Sequence, residues 1–395
     1  MLNGKDLDDA LRILPEYDEN TCQKPVTERL MALQDLYCIY IPDAMSREIY
    51  TKLYLALLRS LQKKQTITAT RQLTENARLI RQQTYESIIG GADAFTIIAP
   101  SGRGKTSAIS RSIAILMETP IIDFNGSKLI SCLNVQCPAD VSIKGLLLEI
   151  LRKTDELLDS KYYSNAIRAK STVDTLIGTV SQVALIHIGL LIIDEIQNVV
   201  NKNGKAIIGT LTQLINNSGL SIVMVGTPES EIFFSSEQIL ARRSTGLSYR
   251  NFEYGEEYMA FVSTLLKYNY TNYINDAVDS LCMWLYSHSG GNIAITVQLI
   301  HDAQEIAILD GTERLDTASL NQAFETRMRF LHEFIKPERT KYSNPKKQKA
   351  HFEEVNDNAE FPVKISEVSL LAKRTGTDVV SELKERGFDI TEVVI

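Results

Sequence analysis

Residues 99–106, APSGRGKT, place a lysine and a threonine directly after two closely spaced glycines. Gly102 and Gly104 allow the backbone to turn tightly, so that its N–H groups can face an anion. Lys105 can neutralise a phosphate, and the hydroxyl of Thr106 can bind Mg²⁺. The spacing therefore predicts a loop that binds a nucleoside triphosphate with Mg²⁺. The predicted binding residues are Pro100, Ser101, Gly102, Arg103, Gly104, Lys105, Thr106 and Ser107.

Ala99 stands where the usual pattern, G-x-x-x-x-G-K-[ST], has its first glycine. Alanine adds only a methyl group and is tolerated wherever the backbone φ angle is negative. An apolar strand pattern precedes the loop and a helix pattern follows it, and the positive end of that helix would face the phosphates. The alternative interpretation is a turn of small residues that contains GKT by chance.

A second stretch, LLIIDEIQN at 190–198, is an apolar strand that ends in two carboxylates. Asp194 is expected to bind the nucleotide-associated Mg²⁺ together with Thr106. Glu195 is expected to polarise the attacking water. The alternative is a strand that ends in a solvated acidic turn. The position of this stretch, roughly 90 residues after the loop within a strand–helix alternation, favours the nucleotide site.

Two further stretches suggest residues that act on the transferred phosphoryl group. Thr227 follows the strand in IVMVGTP (222–228) and could contact the γ-phosphate or the water as a sensor; the alternative is a simple strand-end turn. Arg242 and Arg243 in ILARRSTG (239–246) could stabilise transition-state charge in a neighbouring subunit. The alternative is a surface pair that binds local carboxylates. An arginine acting between subunits would require an oligomer.

Strand and helix patterns alternate through the part of the chain that carries these residues. The strands are nearly all apolar, which is typical of a parallel sheet buried on both faces. The expected fold class is therefore α/β, a P-loop NTPase with a parallel sheet flanked by helices. The predicted strands are 94–99, 129–137, 189–195 and 220–226, and the predicted helices are 45–65, 71–88, 105–117, 142–158, 169–187 and 205–217.

After residue 256 the strand signal stops, and helical patterns predict a small lid domain. A basic segment at 336–349 that contains proline is interpreted as a linker to a C-terminal tail. The tail could dock on a partner or pack back on the lid. The predicted lid helices are 256–268, 274–288, 292–309 and 317–334. The predicted domains are 1–65, a helical segment that binds a partner; 66–255, the nucleotide-binding core; 256–335, the lid; and 336–395, the linker and partner-binding tail.

The 395-residue chain carries a formal net charge of −7, so any contact with nucleic acid must come from a local patch. The DNA-binding candidates are Ser142 and Lys144 in DVSIKGL and Lys161 and Arg168 in DSKYYSNAIRAK. The alternative for each is a solvated surface side chain. Linker lysines Lys346, Lys347 and Lys349 are further candidates.

Cysteine usage indicates a reducing compartment. The five cysteines are scattered without metal-site spacing. Neither a signal peptide nor a membrane-spanning stretch is predicted, so a cytoplasmic protein without a membrane partner is expected.

Taken in order, these motifs resemble those of AAA+ ATPases, and more narrowly those of the TnsC/TniB regulators of DNA transposition. The narrower resemblance covers about 95–255 and depends on CPAD followed by SIKGL, on IDEIQN, on GTPE and on ARRSTG. It implies binding of ATP and Mg²⁺ and assembly of a homo-oligomer, a ring or helical filament, around double-stranded DNA. It further implies that the protein links a target-selection protein or RNA-guided complex to transposase subunits. Hydrolysis would disassemble the filament, and the protein would be bacterial and associated with the nucleoid.

One departure from the family pattern concerns the lid. AAA+ lids often carry an arginine in a G-x-x-R helix start, whereas the corresponding stretch here, SGGNIAITVQ (289–298), has none. Binding of ATP is therefore implied more firmly than its hydrolysis. The alternatives are another AAA+ switch of the initiator or helicase-loader type, and a scaffold that binds ATP without hydrolysing it.

Overall fold

A six-stranded sheet lies at the centre of the computed structural model, with the order β2-β3-β4-β5-β1-β6. Three of its four inner strands, β1, β4 and β5, are wholly buried, as their apolar sequences predict. All neighbouring pairs are parallel except β2 with β3. The strands are β1 (Ala94–Ile98), β2 (Ile121–Phe124), β3 (Ser127–Gln136), β4 (Ile188–Asp194), β5 (Ser221–Gly226) and β6 (Ser244–Ser248).

The structure describes residues 1–90, 94–117, 119–124, 126–137, 142–231, 244–274 and 276–332, and gives the backbone only for 199–208, 244, 245 and 274. Residues Met1–Glu338 form one compact unit and Arg339–Ile395 a second. The second unit and its predicted linker and tail, with Lys346, Lys347 and Lys349, lie outside the described residues. The predicted division into four domains therefore stays a prediction.

Helices cover both faces of the sheet. Helices α4 and α6 pack with Ile97, Leu190 and Val223 on one face, and α5, α7, α9 and α10 cover the other. They are α4 (Ala44–Lys64), α5 (Ile67–Ile80), α6 (Lys105–Leu116), α7 (Ile143–Leu158), α8 (Tyr162–Arg168), α9 (Val173–His187) and α10 (Gln197–Ser218). In the described residues, no helix is both long and apolar enough to cross a membrane.

The predicted parallel sheet is confirmed, but several element limits were wrong. The helix predicted at 71–88 ends at Ile80, and Gln82 has a φ of 57°, which a helix does not adopt. The helix predicted at 169–187 is two helices, because Lys170 has a φ of 50° and Thr172 caps α9. The edge strands β2 and β6 were not predicted; β6, STGLS, is short and lacks apolar alternation.

The lid consists of the four predicted helices and a two-stranded sheet. Before the core, three short helices lead into α4. The first, α1, packs on α4 and α6. The other two pack on the lid: Leu33 and Leu36 are fully buried in the lid core, and Arg29 forms an ion pair with Glu313 at 2.6 Å. The lid contains α11 (Glu256–Leu266), α12 (Val278–Ser289), α13 (Ile293–Leu309) and α14 (Thr317–Arg327), with β7 (Tyr273–Ile274) and β8 (Arg314–Leu315). The first three helices are α1 (Gly4–Leu11), α2 (Val26–Ala32) and α3 (Asp35–Cys38).

The last residue of α4, Lys64, is a buried lysine. Its Nζ donates to the carbonyl oxygens of Ala184 at 2.5 Å and Leu185 at 3.1 Å, in the last turn of α9. Burial lowers the pKa of Lys64 to about 7. The unfolded chain keeps this amine protonated up to a much higher pH, so deprotonation favours the folded state as the pH rises above 7.

We expect Lys64 to raise the free energy of unfolding by up to about 1.4 kcal/mol per pH unit between pH 7 and pH 9. The thiols of Cys132 and Cys137, whose pKa values burial raises to about 12, oppose this rise in the upper part of the range. Lys64→Met should lower the wild-type slope by the share of this lysine, whatever its effect on absolute stability. Urea unfolding at pH 7, 8 and 9 measures it. Lys63→Met, at the neighbouring partly exposed position, is the control and should keep the slope. If the free energy of unfolding of Lys64→Met depended on pH as that of wild type does, the slope could not be assigned to Lys64.

Candidate nucleotide-binding site

The phosphate loop, residues 99–104, connects β1 to the first residue of α6, Lys105. Gly102 has a φ of 77° and Gly104 a φ of 94°, a backbone region that glycine adopts most readily. Ala99 is fully buried, its N–H donates to the carbonyl of Gly226 at 3.2 Å, and its φ is not positive. The backbone conformation therefore accommodates alanine in place of the first glycine.

Lys105 lies inside this loop. Its Nζ donates to the carbonyl oxygens of Ala99 at 2.6 Å and Pro100 at 3.0 Å. Burial lowers the pKa of Lys105, and the nearby carboxylates of Asp194 and Glu195 oppose that shift. The ammonium is thus held by backbone oxygens at the loop, where a phosphate oxygen could replace them as hydrogen-bond acceptor.

Thr106 and Asp194 are 88 positions apart in the chain and in direct contact in the fold. The Thr106 hydroxyl donates to Oδ2 of Asp194 at 3.1 Å. The other oxygen of Asp194, Oδ1, accepts from the backbone N–H of Glu195 at 2.8 Å, and Asp194 is 7% exposed. Hydroxyl and carboxylate oxygens are the ligands that Mg²⁺ prefers, usually with several waters. These two side chains fit a nucleotide-bound Mg²⁺.

Glu195 and Thr227 are connected by a residue that the sequence analysis did not single out, Gln197. Gln197 Nε2 donates to Oε2 of Glu195, while its Oε1 accepts the Thr227 N–H at 3.3 Å. Glu195 has a φ of 57°, which is uncommon for a residue with a side chain and concentrates at functional sites. The Thr227 hydroxyl bonds the carboxylate of Glu229 and lowers the pKa of that group. Gln197 thus joins the ends of β4 and β5.

A cavity of about 620 Å³ opens beside the loop, a volume typical of small-molecule sites. One end is polar and is lined by the loop, Glu195, Gln197 and Thr227. The rest of the lining is mainly apolar and comes from residues 36–45, up to the first turn of α4, and from the lid. It contains Leu36, Tyr37, Ile39, Tyr40, Ile41, Met45, Phe261, Ile293 and Val297. The polar and the apolar parts of the lining suit a triphosphate and a base, respectively.

Arg103 is placed differently from the other loop residues. Its Nη2 donates to Oδ2 of Asp43 at 2.6 Å, its Nε donates to the Arg250 carbonyl at 2.8 Å, and its guanidinium lies 4.2 Å from the ring centroid of Phe252. The residue is 6% exposed. Its side chain thus joins the segment before α4 to the connection between β6 and the lid.

The predicted DNA-binding residues lie away from the cavity. Ser142 caps α7 by accepting the Gly145 N–H at 3.1 Å, and Lys144 is exposed in the first turn. Lys161 and Arg168 are exposed at the two ends of α8. Arg242 and Arg243, and residues 138–140 of the CPAD stretch, lie outside the described residues.

The family model described as an AAA domain matches residues 86–232. Over these residues the chain is similar to AAA domains. This match starts before β1 and includes the phosphate loop, Asp194 and Thr227, and the sheet with its flanking helices has the AAA+ P-loop NTPase fold. No curated protein matches the chain.

Solved structures that are similar to this chain are distant. Drosophila ORC bound to DNA is 13% identical, with 99% of this chain and 84% of that chain covered and a TM-score of 0.45. Aeropyrum pernix ORC1 in complex with DNA is 14% identical, with 65% and 64% covered and a TM-score of 0.43. The Thermotoga maritima RuvB Holliday junction branch migration motor is 14% identical, with 81% and 87% covered and a TM-score of 0.37. These likenesses carry no argument about the activity of this chain.

Proposed function

We propose that this protein is an ATP-dependent, DNA-binding regulator of transposition. It oligomerises on duplex DNA, links a target-selection protein or RNA-guided complex to transposase subunits, and is reset by ATP hydrolysis. The observation that supports it most directly is the contact between Thr106 and Asp194 at 3.1 Å, with Glu195 next in the chain. This contact joins the two halves of the nucleotide site.

In the proposed ATPase, the backbone amides of the phosphate loop and the ammonium of Lys105 bind the phosphates. Thr106 and Asp194 hold Mg²⁺, which would offset the negative charge of the phosphates. Glu195 orients and polarises the attacking water. Thr227 contacts the γ-phosphate or that water, and its bond to Gln197 ties it to the position of Glu195.

Assembly would complete the site between two subunits. We assign Arg242 and Arg243 as candidates for the arginine that one subunit supplies to the nucleotide of the next. Lys144, Lys161 and Arg168 are exposed on two helices that pack together, α7 and α8, so they can face one DNA backbone. Ser142 fixes the start of the first of these helices. The N-terminal segment and the C-terminal tail are assigned to partner proteins.

Electron microscopy of the protein with duplex DNA tests this function. We expect ordered rings or filaments with a slowly hydrolysed ATP analogue and Mg²⁺, and few or none with ADP or without nucleotide. A triple variant, Lys144→Glu with Lys161→Glu and Arg168→Glu, should keep nucleotide binding and lose DNA-dependent assembly. Equal assembly without nucleotide would contradict the ATP dependence. Transposase subunits should be retained only by the assembled form; retention by the ADP form would contradict the role in transposition.

A further inference from the structure

The first turn of lid helix α13 lies directly against the phosphate loop. Asn292 caps this helix, since its Oδ1 accepts the Ile295 N–H at 3.2 Å. The same side chain donates from Nδ2 to the carbonyl oxygen of Ser101 at 2.8 Å. One residue beyond the start of the helix, the Ala294 N–H donates to the Gly102 carbonyl at 3.1 Å. Two consecutive carbonyls of the loop are therefore bonded to the lid.

These two bonds determine the orientation of two peptide groups in the loop. A trans peptide is planar, so its N–H points opposite to its carbonyl. With the Ser101 carbonyl facing Asn292, the N–H of Gly102 points away from the lid. The peptide between Gly102 and Arg103 is held at both of its polar groups. Its carbonyl accepts from Ala294, and its N–H donates to the Pro100 carbonyl at 3.3 Å. The lid thus stabilises the turn from which the loop presents its amides.

Close packing leaves little freedom at this contact. A Cβ added at Gly102 would lie 2.6 Å from Oδ1 of Asn292 and 3.0 Å from Cβ of Ala294. Asn292 itself is 7% exposed. A shift of the loop toward the helix would meet these atoms, and a shift away would break both hydrogen bonds. The loop conformation and the lid position are therefore coupled.

We propose that Asn292 is a positioning residue for nucleotide binding. Through uncharged contacts with Ser101 and Gly102, the lid sets the conformation of the phosphate loop. The stretch that carries these contacts, 289–298, contains no arginine to read the phosphates by charge. The inference rests on the proposed binding of ATP. A lid that acts on the loop backbone supports the binding of ATP and of ADP equally. A charged group aimed at the γ-phosphate would instead favour the binding of ATP over that of ADP.

The test compares the Mg²⁺ complexes of ATP and ADP by titration calorimetry with wild type and Asn292→Ser. Serine caps a helix well, so α13 keeps its N-cap while the bond to Ser101 is lost. We expect the affinities for ATP and for ADP to fall by the same factor, about threefold to tenfold, as for the loss of one hydrogen bond that organises a site. Asn292→Ala should weaken the binding of both nucleotides at least as much as Asn292→Ser does.

A matched control changes another lid cap. Asp316 accepts the Ser319 N–H at 2.9 Å at the start of α14 and does not line the cavity. Asp316→Ala should lower the stability of the lid and leave nucleotide affinity unchanged. If Asn292→Ser binds both nucleotides as wild type does, or loses ATP alone, this inference is overturned while the proposed function stands. A wild-type protein that binds neither nucleotide overturns both.

Discussion

Lys105→Ala is expected to weaken ATP binding by about 100-fold. A hydrogen bond to a charged group is worth up to about 3 kcal/mol, and here it would join an ammonium to a triphosphate. Lys105 is 8% exposed and belongs to the first turn of α6, so the backbone places its ammonium at the loop. Titration calorimetry with Mg-ATP measures the loss.

Lys144→Ala is the matched control for Lys105→Ala. This lysine also lies in the first turn of a helix, but it is exposed and does not line the cavity. The control variant should bind ATP as wild type does. Because Lys105 also contacts the Ala99 and Pro100 carbonyls, thermal unfolding of both variants should be recorded. A folded Lys105→Ala protein with unchanged ATP affinity would contradict the nucleotide site.

Glu195→Gln is expected to bind ATP within about threefold of wild type and to hydrolyse it about 10² to 10⁴ times more slowly. The amide has nearly the shape of the carboxylate but cannot accept a proton from water. Its oxygen can still accept the bond that Gln197 donates to Glu195, so the local structure should persist. Phosphate release under saturating ATP gives the rate.

Glu325→Gln controls for the loss of one carboxylate, since Glu325 is exposed on α14 and does not line the cavity. It should hydrolyse ATP at the wild-type rate. Equal rates for Glu195→Gln and wild type would remove Glu195 from the proposed mechanism. Loss of ATP binding in Glu195→Gln would show that this carboxylate acts in binding instead.

The polar end of the cavity could be predicted because its residues belong to short, local patterns. The GKT loop follows an apolar strand, and Asp194 ends another, so the topology of a parallel sheet brings their ends to one edge. The contact of Thr106 with Asp194 follows from this rule. Gln197 could not be predicted as a site residue, because an amide two residues after Glu195 belongs to no distinct sequence pattern.

The apolar part of the lining could not be predicted in the same way. Ile39, Ile41 and Met45 lie in a segment that precedes the loop by roughly 60 residues, and no periodicity connects it to the loop. The local pattern around Arg103 indicated a residue of the phosphate loop. Its side chain instead contacts Asp43 and Phe252, which lie far before it and far after it in the chain. Contacts between distant segments depend on tertiary packing, which a single sequence does not encode locally.

The ion pair of Arg103 with Asp43 bears on how such a domain can be exchanged between proteins. The segment that matches the AAA family begins at 86, after Asp43, and ends at 232, before Phe252 and Asn292. A graft limited to that segment would transfer the contact between Thr106 and Asp194 and leave a buried guanidinium without its carboxylate, a costly arrangement. A segment that keeps every described contact of the phosphate loop therefore extends from the residues before α4 to the first turn of α13.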